Sequence, residues 1–277
     1  MSDERRAVVL GGGGVTGVAW EIGMIHGLAE RGVDLSRADL FVGTSAGSVV
    51  SAQITAGVPL DQLYALELAD TSGDRNARIS RGVILRFAVA GLLPGARGRA
   101  WLGRAALRAR TVPEAERRAA IASRVTSEVW PGARLRIPAV AAATGQVVVF
   151  DNDSGVPLVD AVAASCAVPL VWPPMTVAGT RYIDGGMRSI ANVDLATGYG
   201  RVVVLAPANL SVRRSTRPSA QTAALAEGVR RICVQPSATA LDAIGDNPLS
   251  PERRAAAAEA GHAQSAEAVD AVRAVWG

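Results

Sequence analysis

The chain has 277 residues, a formal net charge of +4 and 49% hydrophobic residues, which excludes a disordered protein and allows one large α/β domain or two small ones. Aromatic residues make up only 4%, which argues against a stacking platform for single-stranded nucleic acid. Two cysteines and two histidines, each pair far apart in sequence, indicate no disulfide framework and no histidine-built metal site. We therefore expect no metal, no cofactor and no nucleic-acid partner.

The N-terminus indicates where the protein acts. Residues 1–6 are mostly polar or charged and lead into a short apolar segment that ends at glycines, unlike a signal peptide. No uninterrupted apolar run approaches the length of about 18 residues that a membrane span requires. We expect a cytoplasmic protein, either free or peripherally bound at the membrane.

A glycine loop follows the first predicted strand. Residues 6–10 have the pattern of a buried strand, and a helix is predicted from about 18 to 31. Between them, Gly12-x-Gly14-x-x-Gly17 matches a dinucleotide-binding fingerprint, but the second strand ends in residues 42–45 without the acidic residue that holds a ribose. Backbone N–H groups of such a loop can instead stabilise an oxyanion, which we favour; nucleotide binding remains the alternative.

The second predicted strand turns sharply into a helix. Residues 40–42 are apolar, and residues 46–56 suit a helix, so Gly43-x-Ser45-x-Gly47 occupies the turn between them. A β-carbon two residues before or after the serine would clash with the neighbouring strand or helix. The pattern predicts a nucleophile elbow that presents the Ser45 hydroxyl beside the N–H groups of a helix start.

An arginine-rich stretch follows a predicted helix over residues 60–69. Residues 75–110 contain nine arginines and no acidic residue, interspersed with apolar side chains. One interpretation is a solvated helical excursion. The other is a basic, partly apolar flap, at about residues 72–112, that rests on anionic lipid.

The remaining chain contains one further candidate catalytic residue. The pattern predicts a helix over 113–128, a strand pair over 134–143 and 146–150, a short helix over 157–164, a strand ending at Asp184, a buried strand over 201–206, a mobile loop over 209–221, a last strand over 231–234 and a helix from about 250 to 276. Gly185 and Gly186 permit a tight turn that directs the Asp184 carboxylate into a crowded site. Cys166 is expected to be a small buried residue, and His26 a structural one.

Together, three motifs resemble those of the patatin-like phospholipase family. Gly12-Gly13-Gly14-x-x-Gly17 is similar to its oxyanion loop, Gly43-Thr44-Ser45-Ala46-Gly47 to its nucleophile motif, and Asp184-Gly185-Gly186 to its aspartate motif. Residues 164–169 also resemble a family segment. The resemblance covers about residues 5–206. One departure is Thr16, which stands where the family usually carries Arg or Lys.

The resemblance implies a three-layer α/β/α fold with a mostly parallel central sheet, here expected as a single domain over residues 1–277 with a helical, arginine-rich insertion. It also implies a calcium-independent acyl hydrolase that cleaves lipid carboxylic esters, of phospholipase A, lysophospholipase or esterase type, through a Ser45–Asp184 dyad. The implied oxyanion hole comprises Gly12, Gly13, Gly14 and Ala46, and the implied supporting residues are Gly17, Gly43, Gly47, Gly185 and Gly186. A catalytically silent lipid-binding member is a further alternative, against which the intact Ser45 and Asp184 count.

Overall fold

The structure is a computed structural model that describes residues 4–69, 77–125, 127–209, 211 and 213–277. Part of the arginine-rich stretch, including Arg75, therefore lies outside the described residues. The same holds for Leu210 and Val212 of the predicted loop and for Thr126.

Within those residues the chain forms eight strands and ten helices. The strands are β1 Arg6–Leu10, β2 Leu40–Gly43, β3 Arg134–Ala141, β4 Val147–Phe150, β5 Met175–Val177, β6 Thr180–Asp184, β7 Arg201–Leu205 and β8 Arg230–Val234. The helices are α1 Gly14–Glu30, α2 Ala46–Thr55, α3 Leu60–Leu68, α4 Arg81–Leu92, α5 Gly95–Leu107, α6 Glu114–Ala122, α7 Leu158–Ser165, α8 Pro218–Ala223, α9 Ala238–Ile244 and α10 Arg254–Trp276.

All eight strands belong to one mostly parallel sheet, as predicted. The strand order is β5-β6-β3-β2-β1-β7-β8, with β4 paired to β3 outside this path. The five strands β3, β2, β1, β7 and β8 run parallel, whereas β4 and β6 pair antiparallel to β3, and β5 antiparallel to β6. Helices must cover both faces of such a sheet, which is why its central strands have continuous apolar runs.

Alternate residues of the central strands face two separate apolar layers. On β1, Val8 and Leu10 join a large core with α1, α2, α7 and α10, while Ala7 and Val9 pack on the opposite face. That second face is covered by residues 191–199 and by the chain around Leu225, next to α8. The three-layer α/β/α arrangement is therefore confirmed, with a thicker helical layer on the first face.

Helices α1 and α10 approach closely because glycines line their contact. A β-carbon on Gly23 or Gly27 of α1 would overlap atoms of α10, and one on Gly261 of α10 would overlap the Trp20 carbonyl oxygen. The Trp20 indole also donates a 3.1 Å hydrogen bond to Gln264. The helix that follows the glycine loop is thus held in place by α10.

Several element boundaries differ from the sequence-based expectations. Helix α1 begins at Gly14 and not at residue 18, because the Gly17 N–H bonds back to the Gly13 oxygen at 3.0 Å and extends the first turn into the loop. Helix α6 ends at Ala122 and not near residue 128, since the chain turns there to bury Val125. Pro251 begins a 3₁₀ turn, and α10 starts three residues later.

Other elements were not predicted. The predicted mobile loop at 209–221 is wrong for its C-terminal part, where Pro218 occupies the first position of α8 and Thr222 bonds to the Pro218 oxygen. The short strand β5 and the helix α9 were not predicted at all. Across the described parts of the chain, no helix combines the length and apolarity needed to cross a bilayer.

Candidate active site

The ends of two strands converge along β3. Strand β2 runs parallel to β3 and its residue Val42 pairs with Arg136, whereas β6 runs antiparallel and Asp184 pairs with Ala139. The carboxyl ends of β2 and β6 therefore point toward each other from opposite sides of β3, with an offset along β3 of roughly 10 Å at about 3.3 Å per residue. This sheet geometry brings the turn that carries Ser45 to the turn that carries Asp184.

The first turn has the geometry of a nucleophile elbow. Ser45 has φ 51° and ψ −114°, a strained backbone conformation for a residue with a side chain. A β-carbon on Gly43 would lie 2.6 Å from the Gly47 oxygen, and one on Gly47 would overlap the Leu10 carbonyl. The Ser45 N–H donates to the Ser165 hydroxyl at 3.0 Å, which fixes the turn from the side of α7.

The second turn presents a buried carboxylate. Asp184 is 3% exposed, and its Oδ1 accepts a 2.7 Å hydrogen bond from the Gly186 N–H. Burial raises the pKa of Asp184 to about 6, against the opposing effects of hydrogen bonds from the Ser45 side chain and the Gly186 N–H and of the Arg117 charge. The carboxyl thus changes its charge close to neutral pH while in contact with the Ser45 hydroxyl.

The glycine loop lies beside Ser45. A β-carbon on Gly12 would stand 3.5 Å from the Ser45 Cβ, an ordinary contact, and 2.9 Å from the Ile190 Cδ1, which would have to shift. The Gly12 N–H donates to the Ile190 oxygen at 2.7 Å and is therefore not an available oxyanion donor, contrary to expectation. No backbone hydrogen bond from the N–H of Gly13, Gly14 or Ala46 reaches another described residue, which leaves these three as candidate donors.

Two side chains that the sequence did not reveal connect the turns. Asn192 is fully buried, and its Nδ2 donates to the Thr44 hydroxyl at 3.0 Å and to the Ser189 oxygen at 2.6 Å. It therefore links the residue before Ser45 to the segment after Asp184. Ser165, which binds the Ser45 N–H, lies inside the segment 164–169 that resembles the family, and that is the only sequence signal for either residue.

A cavity of about 300 Å³ opens at Ser45. One part of its wall is apolar and includes Val18, Val49 and Leu249, while α6 contributes Glu116 and Arg117. Thr16 does not line this cavity: its N–H and hydroxyl bond to the Pro248 oxygen at 3.1 and 3.3 Å. Thr16, at the position where the family usually has a cation, therefore binds the segment next to Leu249 through these two hydrogen bonds.

Cys166 lies directly under the elbow. Its thiol donates to the Ser45 carbonyl oxygen at 3.2 Å, and burial raises its pKa to about 11. The expectation of a small buried residue is confirmed. The thiol stays protonated at neutral pH and packs against the elbow.

The two histidines are adjacent, which corrects the expectation that they lie far apart. The ring centroids of His26 and His262 are 5.3 Å apart, with His26 bonded to Asp61 at 2.9 Å and His262 to Glu30 at 2.6 Å. Ligand atoms of His26, Glu30 and His262 lie within 4.8 Å of one another, so this group has the composition of a metal site. None of its residues lines the cavity at Ser45.

One buried acid lies behind the glycine loop. Glu21 of α1 is fully buried, and neither of its carboxylate oxygens has a hydrogen-bond partner that meets normal geometry among the described residues. Burial raises its pKa well above the usual value, and the Gly11 backbone opposes this only in part. Burial therefore favours the neutral form of Glu21.

Comparison with known proteins assigns the family. The family model described as patatin-like phospholipase matches residues 8–197. No curated protein matches the chain. Among solved structures, VipD from Legionella pneumophila is similar with 15% identity and a TM-score of 0.48, over 96% of this chain and 67% of VipD.

The type III effector protein ExoU is similar with 16% identity and a TM-score of 0.43, over 99% of this chain and 54% of that one. The chain thus spans about two thirds and about half of these two structures, and neither superposition is close enough to support an argument. The family model alone covers well over half of the sequence. Members of the matched family are generally lipid acyl hydrolases. The chain belongs to the patatin-like phospholipase family.

Proposed function

We propose that the chain is a serine acyl hydrolase that cleaves lipid carboxylic esters through a Ser45–Asp184 dyad. The observation that carries the proposal is the position of Ser45, on a strained turn, next to the buried Asp184 carboxyl, whose pKa is raised by burial to about 6. A general base with a pKa near the working pH is well matched to accept a hydroxyl proton.

In the first half of the proposed reaction, the Ser45 Oγ attacks the ester carbonyl carbon and its proton passes to Asp184. The carbonyl oxygen becomes an oxyanion, which accepts hydrogen bonds from the free N–H groups of Gly13, Gly14 and Ala46. The loss of one such donor typically costs about 3 kcal/mol of barrier. The tetrahedral intermediate then collapses, and the leaving alcohol takes the proton from Asp184.

In the second half, water hydrolyses the acyl-enzyme. Asp184 accepts a proton from the water, the new hydroxyl attacks the acyl carbonyl carbon, and the released Ser45 oxygen recovers the proton from Asp184. Every group in this scheme belongs to the chain itself, so we propose that the reaction is independent of calcium, with EDTA treatment as the check.

A fluorophosphonate probe and two substitutions test the proposal. The probe should label Ser45, and Ser45→Ala and Asp184→Asn should each lower hydrolysis of a p-nitrophenyl ester by about 10³-fold or more, because the dyad acts as a unit. Ser219→Ala and Asp242→Asn are matched controls on exposed residues. If the probe does not label Ser45 and the chain binds a nucleotide, the glycine loop is favoured as a nucleotide site. If the probe does not label Ser45 and the chain binds lipid, a catalytically silent family member is favoured.

We further propose that α4 and α5 touch anionic membrane. Helix α4 has no buried residue, and Ile84, Leu85 and Leu92 are 55%, 65% and 72% exposed. Arg81 and Arg86 are exposed on the same helix. Exposed apolar and cationic side chains on one amphipathic element favour the interface of an anionic bilayer.

A further inference from the structure

One arginine in the cavity at Ser45 forms no ion pair with any residue that the structure describes. Arg117 of α6 lines the cavity, and its guanidinium stacks on the Trp172 ring at 4.2 Å from the ring centroid. Its Nε is buried without a hydrogen-bond partner. The next residue, Arg118, differs: it pairs with Asp160 at 2.6 Å and with Glu128 at 3.2 Å.

The other charged groups around the cavity do not neutralise Arg117. Burial lowers its pKa, an effect that Cys166 and Asp184 oppose and Arg124 reinforces. Glu116 and Arg124 line the same cavity and have interactions of their own. No ion pair joins Arg117 to any residue within the described ranges. Asp184 acts on Arg117 only through longer-range charge attraction, and a partly desolvated cation without an ion-pair partner is unfavourable, so the cavity favours an anion at this position.

We propose that Arg117 binds the phosphate of the lipid whose carboxylic ester reacts at Ser45, so that the cavity selects phospholipids or lysophospholipids over neutral acylglycerols. This inference rests on the proposed function. A guanidinium suits phosphate because its planar fork donates two parallel hydrogen bonds. Stacking on the Trp172 ring fixes the orientation of that plane.

A selectivity ratio tests the role of Arg117. We compare kcat/KM for octanoyl lysophosphatidylcholine with that for monooctanoylglycerol, both below their micelle concentrations, so that the two esters differ mainly in the phosphate headgroup. Assays run at pH 8.5, where Asp184 is ionised. Arg117→Gln should lower the ratio by about 10- to 100-fold, as expected for the loss of a charge-assisted hydrogen bond. Arg117→Lys should retain part of it.

The control is Arg108→Gln, which removes the same charge at an exposed position. A ratio that changes less than about threefold in Arg117→Gln overturns the proposal, because a purely structural role, or a role in lowering the pKa of Asp184, would affect both substrates equally. If Arg117→Gln fails to fold, the test uses Arg117→Lys and measures how strongly glycerophosphocholine inhibits hydrolysis of p-nitrophenyl butyrate. This inhibition should be weaker in Arg117→Lys than in the wild type. Unchanged inhibition overturns the proposal.

Binding to catalytically inactive protein separates this proposal from the dyad. In a Ser45→Ala background, octanoyl lysophosphatidylcholine should bind more tightly than monooctanoylglycerol, and the added Arg117→Gln should abolish the difference. If the wild-type chain hydrolyses neither ester but this difference holds, the dyad proposal fails and the phosphate site stands. If hydrolysis occurs without the difference, the phosphate site fails.

Discussion

At the scale of single residues, Asp184 has two properties that compete. Its burial places the carboxyl against the Ser45 hydroxyl, and the same burial favours its neutral form. Only the ionised form can accept the Ser45 proton in the proposed mechanism. The site therefore has to operate above the pKa that its own burial produces.

This predicts a single acidic limb in the pH profile. For a short neutral ester, kcat/KM should fall tenfold per pH unit below about pH 6 and level off above it, because protonated Asp184 cannot act as a base. The profile should be the same in Asp242→Asn. An inflection near 4 would mean that Asp184 titrates with an ordinary carboxyl pKa, whereas an inflection that persists in residual activity of Asp184→Asn would assign the base to another group.

The residues that the sequence predicted are those with local patterns. Ser45 lies between two glycines and Asp184 precedes two, so short motifs were sufficient to propose both residues. Arg117 and Asn192 lie on segments without such a motif, and the structure connects them to the site through contacts between distant parts of the chain. The two histidines illustrate the same limit, since separation in sequence says nothing about whether α1 and α10 pack together.

At the scale of elements, the arginines of α5 divide into two groups. Arg99 and Arg104 donate to the Gly145 and Ala143 oxygens at 2.8 and 3.1 Å and so attach α5 to the chain between β3 and β4. Arg97 is exposed, as are Arg81 and Arg86 of α4. Arg104 is exposed as well, but its guanidinium is held by the Ala143 oxygen, so Arg81, Arg86 and Arg97 are the arginines that we expect to contact a membrane.

We therefore predict that Arg81→Glu, Arg86→Glu and Arg97→Glu together weaken binding to anionic vesicles by about 100-fold or more, since each arginine near such a surface contributes about 1 kcal/mol. The salt dependence of binding should flatten as well. Arg214→Glu, Arg217→Glu and Arg230→Glu together make the matched control with the same change of charge on exposed residues. Equal loss in both triple variants would mean that net charge, not this surface, governs binding.

At the scale of the whole molecule, strand order was the harder part to predict. The resemblance to the family implied a mostly parallel sheet with helices on both faces, and the pattern of strands and helices agreed with it. It could not reveal that β6 runs back along β3, because a single strand carries no information about the direction of its neighbour. That reversal is what brings Asp184 to Ser45.

Glu21 ties the stability of the whole fold to pH. Its pKa is raised in the folded chain, whereas a glutamate in the unfolded chain ionises near 4.3. Unfolding thus releases a proton, and the free energy of unfolding falls as pH rises above about 4.3 toward the folded pKa. Glu21→Gln cannot ionise and should not show this loss. In urea unfolding, the free energy of unfolding of Glu21→Gln minus that of the wild type should therefore be more positive at pH 7.5 than at pH 4.5.

Glu227→Gln, at an exposed position, should show no such difference between the two pH values. An equal loss of stability in Glu21→Gln at both pH values would contradict the prediction and indicate an ionised Glu21 with a favourable partner.

The glycine-lined contact between α1 and α10 affects the order in which the site is assembled during synthesis of the chain. The ribosome makes the glycine loop, Ser45 and Asp184 before it makes α10, which packs on the helix that begins in that loop. A nascent chain can therefore carry all the reacting groups while the support of the oxyanion loop is still to be synthesised. In the proposed mechanism, this order delays assembly of the complete site until synthesis has moved well past Asp184.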